Sequence, residues 1–136
     1  MFKLDPKLEN NKFFVGDLKI SRLLLSNDAN YIWLILVPRK ADLVELIDLS
    51  FDEQVEVLRE INVLSKILLE EFGAEKLNIA TIGNVVPQLH IHVIARKKND
   101  ITFPKPVWGA ADAKPFEDAE AKKIVEKLRI LLPSGK

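Results

Sequence analysis

The chain has 136 residues, 48% hydrophobic and 29% charged, a size that fits one domain able to bury a core without disulfides or a structural metal. Its 20 Lys plus Arg balance 20 Asp plus Glu, so no broad field draws in a nucleic-acid backbone and any anion site must be local. Cysteine is absent, which excludes thiol catalysis, thiolate-bound zinc and iron–sulfur chemistry.

The opening MFKLDPKLEN is interrupted by charges and does not read as a signal peptide. The longest nearly uncharged run, 31–38, is too short to span a bilayer. The expectation is a soluble cytoplasmic domain with no membrane or nucleic-acid partner. Asp5-Pro6 predicts a helix start, with a short helix running toward Asn10. Residues 18–26 and 31–37 are branched, apolar and of strand length. The Asn27-Asp28-Ala29-Asn30 turn between them predicts an antiparallel hairpin.

Ser50-Phe-Asp-Glu53 is a capping box. The apolar spacing of Val55, Leu58, Ile61, Leu68 and Phe72, with Ser65 in the same stripe, predicts the main helix up to Gly73. Its glutamates Glu53, Glu56, Glu60, Glu70 and Glu71 read as the wet face. Residues 77–82 and 88–95 predict two more strands joined through Gly83-Asn84. Ala121, Ile124, Val125, Leu128, Leu131 and Leu132 predict a last helix, stopped by Pro133 and Gly135. Hairpin, helix, hairpin, helix is an α+β pattern on a mostly antiparallel sheet.

The only two histidines, His90 and His92, stand two apart in Gln88-Leu-His-Ile-His-Val-Ile94. In a strand, residues two apart share a face about 6–7 Å from one another. Gln88, His90 and His92 would then form a polar row, with Leu89, Ile91 and Val93 lying beneath the long helix. The residues leave three readings open. One is a half-exposed surface pair. Another is a metal pair, whose third ligand would have to come from a distant Asp or Glu. The third is nucleophilic catalysis on phosphorus, because a neutral imidazole attacks without prior deprotonation and forms a phosphoramidate that water cleaves.

The run from Gly83 through Gln88-Leu-His-Ile-His-Val-Ile-Ala to Arg96 resembles the signature of the histidine-triad (HIT) superfamily, in which three histidines alternate with apolar residues. Asn27-Asp28, Trp33-Leu-Ile-Leu-Val-Pro-Arg39, Lys76-Leu-Asn78 and Pro106-Val-Trp-Gly109 fall in the order and spacing seen in bacterial members. The resemblance implies a single HIT-like domain over 1–136, with a core of about 2–109 and a helical tail of about 115–132. It implies a five-stranded antiparallel sheet with one long helix packed on it and short helices at both ends. It also implies a homodimer whose sheets join.

The implied activity is hydrolysis or transfer at the α-phosphate of a purine nucleotide, either a nucleoside phosphoramidate or a dinucleoside polyphosphate, with no cofactor or metal required. His90 matches the nucleophile and His92 the histidine that steadies the phosphate. Gly83 and Asn84 match the turn that contacts the α-phosphate, and Asn78 an asparagine that orients it. Asn27 lies near the ribose-holding residue, with Asp28 a close competitor. Trp108 sits in a segment that closes over the site or reaches the partner.

Two residues depart from the pattern. Gln88 stands at the first histidine, where it keeps hydrogen bonding but cannot titrate. Trp33 stands where many members have a further histidine, and reads as a core or pocket-wall residue. A nucleotide- or metal-binding module with little turnover is therefore the competing expectation. Arg39-Lys40 and Arg96-Lys97-Lys98 read as solvated basic clusters, with attraction of a polyphosphate tail the alternative, and the segments around Phe13, Ile35 and the C-terminal tail as pocket walls.

Overall fold

The computed structural model describes residues 1–133; Gly135, half of the expected stop after the last helix, lies outside them. Asp5 caps α1 (Pro6–Glu9), its carboxylate accepting the Lys7 N–H at 2.8 Å. β1 (Lys12–Asp17) follows, a strand the sequence did not suggest. Its apolar alternation is broken near Gly16, where the pairing with β2 shifts register. β2 (Ser21–Ser26) begins later than expected because residues 18–21 form a turn closed by the Leu18 N–H on the Ser21 carbonyl. β3 (Ile32–Pro38) completes the expected hairpin.

A 3-10 turn (Leu46–Asp48) leads into α2 (Phe51–Glu71), which starts on the expected capping box: Glu53 N–H on Ser50 Oγ, and Ser50 N–H on the Glu53 carboxylate. β4 (Lys76–Ala80) and β5 (Ile91–Arg96) are both shorter than predicted, leaving residues 81–90 as a loop. α3 (Asp118–Leu131) closes the described chain. All strand pairs are antiparallel, in the order β1-β2-β3-β5-β4, which is the five-stranded sheet the resemblance implies.

α2 covers one face of this sheet. Val57, Leu64, Ile67 and Leu68 pack in one cluster with Leu23, Leu25, Leu34, Leu36, Ile91 and Val93. Each such side chain contributes about 2 kcal/mol through burial. The apolar row of the histidine segment is thus where it was expected. The helix, however, is turned from the predicted stripe: Leu58 is exposed and Glu60 is buried. The sequence of α2 is apolar on more than one side, and a polar contact selects the face. The Glu60 carboxylate accepts the Ile20 and Ser21 N–H groups at 2.8 and 3.3 Å, closing the β1–β2 turn.

Phe13 also lies on this side, ring against Phe116, and so is not a wall of the histidine face. The opposite face carries the histidines. Beside them Phe2 and Leu4 of the N-terminal segment pack with Leu8, Leu24, Ile35, Val37, Trp33 and Val86. α3 protects the β1 edge, Arg129 donating to the Val15 and Phe14 carbonyls, whereas β4 is an open edge. No helix among the described residues is long and apolar enough to cross a membrane.

Candidate active site

β5 begins at Ile91, so only His92 of the expected row lies within a strand, opposite Ile35 of β3 and Ala80 of β4. His90, just before it, still shares its face. Both rings are buried and meet edge to face, 4.9 Å between centroids. The row breaks at Gln88. Its side chain turns to the N-terminal segment, where Oε1 accepts the Asp5 N–H at 2.7 Å and Nε2 donates to the Lys3 carbonyl at 2.9 Å. The backbone leaves strand geometry there because the Leu89 N–H is donated to the Leu43 carbonyl instead of to a neighbouring strand. A cavity of about 450 Å³, lined in part by Met1, Lys3, Leu43 and Gln88, opens beside this amide and not beside the histidines.

What Gln88 offers His90 is its main chain. His90 Nδ1 lies 2.7 Å from the Gln88 carbonyl oxygen. A carbonyl only accepts, so Nδ1 carries the proton and Nε2 keeps a free lone pair. His92 has the opposite tautomer. The Trp33 indole N–H donates to its Nδ1 at 2.9 Å, which leaves the proton on Nε2. Trp33 and Trp108 both pack against His92, at 5.7 and 4.9 Å between ring centroids, and against each other at 5.7 Å. Trp33 therefore belongs to the site. The pocket-wall reading of Trp33 is consistent with this, since two residues before Ile35 on β3 it shares the face of the residue paired with His92; what the sequence did not suggest is its hydrogen bond to that ring.

Burial first, then the repulsion a second proton would meet from a protonated His90 and from Lys12, push His92 down from 6.5 to about 3, so it is neutral at physiological pH. In the unfolded chain it takes up a proton as pH falls below about 6.5, so folding stability must fall with it. Asp100 and Asp17, whose carboxyls folding lowers, keep their stabilising contribution through this range and lose it only below about pH 4. Between pH 6.5 and 4.5 the wild type is thus expected to lose about 2 kcal/mol more than His92→Phe in urea unfolding. Equal losses in the two proteins would refute a neutral, buried His92.

The other candidates divide. Asn78 lies on the histidine face of β4, where its Oδ1 accepts from Arg96 Nη1 at 2.8 Å. That contact sets the amide's sense and leaves Nδ2 as the free donor. Gly83 has φ +67°, a conformation that favours glycine, and Asn84 beside it is exposed with no side-chain hydrogen bond among the described residues. Asn27 is occupied elsewhere: Nδ2 donates to Asn11 Oδ1, and Oδ1 accepts the Phe116 N–H. Asp28 likewise accepts the Asn30 and Lys114 N–H groups. Both tie the C-terminal tail to the end of β2, and neither is hydrogen-bonded to the histidine pair.

Arg96 is not a solvated cation but a buried one, which the next segment wraps. Among the described residues no group of three or more His, Asp or Glu side chains converges as a metal site.

Because the Gln88 side chain lies outside the histidine row, Gln88→His is expected to leave kcat within about threefold of wild type. Losing the amide contacts to Lys3 and Asp5 should lower stability by about 1–2 kcal/mol. A tenfold gain in kcat would place the residue-88 side chain in the reaction instead.

Residues 7–99 match the family model for the HIT domain. A histidine triad protein from Bradyrhizobium japonicum is 41% identical, with 97% of this chain and 98% of that one covered and a TM-score of 0.94. One from Sinorhizobium meliloti is 39% identical over 97% and 98% of the two chains, with a TM-score of 0.93. Another, from Marinobacter aquaeolei, is 37% identical over 97% and 96%, with a TM-score of 0.94. No curated protein matches the sequence significantly.

Proposed function

The chain belongs to the HIT domain family, and from that premise we propose that it hydrolyses or transfers a purine nucleotide at the α-phosphate through a nucleotidyl-His90 intermediate. The observation that carries this reading is the His90 tautomer. With Nδ1–H committed to the Gln88 carbonyl, the bare Nε2 is a neutral nucleophile already aimed by its backbone contact. The same carbonyl steadies the positive charge that the ring acquires once Nε2 is bonded to phosphorus.

Around it, His92 Nε2–H and Asn78 Nδ2 are the side-chain donors for phosphoryl oxygens, and the Gly83-Asn84 turn supplies backbone N–H groups. Trp108, packed on His92, walls the site where the base or sugar enters. The open β4 edge, with Ile79 half-exposed, supports a homodimer joined through the sheet. The competing reading, nucleotide binding with little turnover, is favoured by one observation: Trp33 occupies His92 Nδ1 and cannot exchange a proton with it.

Capture of the intermediate tests the proposal. The protein is mixed with diadenosine tetraphosphate, quenched in alkali where P–N bonds persist, and digested for mass analysis. An adenylyl group on His90 is the expected result. AMP release with no adduct, at a rate unchanged in His90→Asn, would overturn it.

A further inference from the structure

The groups around the histidine pair leave no route for a proton. Trp33 Nε1–H only donates, so His92 Nδ1 must accept, and a second proton placed there would point at the indole N–H. Trp108, packed on the same ring, carries an indole that likewise only donates, and His90 meets the ring edge to face with its own Nδ1–H committed to a carbonyl. The Gln88 side chain neither titrates nor faces the pair. Among the described residues no Asp, Glu, Lys or Arg side chain is hydrogen-bonded to either imidazole.

We infer that Trp33 is a specificity-determining residue that restricts this site to phosphate anhydrides, in which a nucleoside α-phosphate carries a phosphate or polyphosphate leaving group, and excludes amine leaving groups. The inference rests on nucleotidyl transfer to His90. In the first step the His90 Nε2 lone pair forms the P–N bond. The bond from phosphorus to the bridging oxygen breaks, and its electron pair leaves with the phosphate, which is stable as an anion and takes no proton from the protein. His90 becomes an N-phosphorylated imidazolium with Nδ1–H still on the Gln88 carbonyl. Water then attacks phosphorus, the P–N pair returns to Nε2, and the water proton passes to the product phosphate or to solvent. A phosphoramidate differs in the first step alone: its nitrogen must acquire a proton as it departs, and Trp33 and His92 do not supply one.

The test compares AMP release from diadenosine tetraphosphate and from adenosine 5′-phosphoramidate, in the wild type and in Trp33→His. A positioned acid accounts for about a hundredfold or more in rate, so wild type is expected to favour the anhydride by at least that factor in kcat/KM. Trp33→His places a titratable ring against His92 and is expected to raise amidate relative to anhydride turnover at least about tenfold. Should that variant fold poorly, p-nitrophenyl and phenyl esters of AMP give the same reading on wild type alone, with the phenyl ester at least about a hundredfold slower. Comparable wild-type rates on amidate and anhydride overturn this inference and leave nucleotidyl transfer standing. So does an unchanged preference in a well-folded Trp33→His. Absence of AMP from every compound overturns the enzyme reading and this inference together.

Discussion

His90→Asn is expected to lower kcat/KM for AMP release by at least about a thousandfold, roughly 4 kcal/mol of transition-state stabilisation. Its urea-unfolding free energy is expected to stay within about 1–2 kcal/mol of wild type. Asparagine is the informative replacement because its Nδ2 can take the place of the imidazole Nδ1–H. The Gln88 carbonyl keeps a donor, and no buried acceptor is orphaned. What disappears is Nε2, the one lone pair on the histidine pair that is not already engaged. His92 cannot substitute, since Trp33 occupies its only lone pair and its Nε2 carries a proton. Alanine is less informative: it leaves both a void beside His92 and an unpaired carbonyl, so lost activity could be blamed on a displaced loop. A His90→Asn protein that is folded and retains more than about a tenth of wild-type kcat/KM would show that the nucleophile is elsewhere.

The residue types around this site were readable from the sequence; their commitments to one another were not. Two histidines two apart in an apolar run announce a shared face, and the rings do share one, although β5 starts only at Ile91. The capping box at Ser50 and the spacing of the last helix are local signals that tertiary packing leaves alone. Glu60 and Arg96 failed for a common reason. A charge read along one element looks solvated, but each is buried against groups outside its own element: Glu60 against the β1–β2 turn, Arg96 against the loop that follows β5 and Asn78 of β4. Gln88 and Asn27 show the converse: polar residues credited to the ligand are spent on the N-terminal segment and the C-terminal tail. Periodicity carries no information on such long-range partners. It also left β1 unseen, since the bulge near Gly16 breaks the alternation that would have marked it.

Arg96→Met is expected to cost about 3–5 kcal/mol in unfolding free energy. Arginine has five N–H donors, and all five are engaged. Nε and one Nη2 donor hold the Asp100 carboxylate at 2.8 and 3.1 Å. Nη1 donates to Asn78 Oδ1 and to the Lys105 carbonyl, both at 2.8 Å, and Nη2 also reaches Thr102 Oγ1 at 3.2 Å. Arg96 is only 1% exposed, its guanidinium packed against the Tyr31 and Phe103 rings.

Burial alone would raise the Asp100 carboxyl. Arg96 and the N–H groups of Lys97, Thr102 and Phe103 instead hold it down to about 2. Methionine fills the volume but strands that carboxylate without its cation, and the loss follows from the unpaired charge rather than from packing. Asp100→Asn added to Arg96→Met should therefore recover at least about 1 kcal/mol of the loss. The loop from 97 to 107 is what seats Val107 against Tyr31 and Ile94, with Trp108 next to it on His92. Loosening that loop should redshift tryptophan emission and raise KM for the nucleotide. An Arg96→Met protein as stable as wild type, or a double variant with no recovery, would show that the buried pair does not hold this segment on the site.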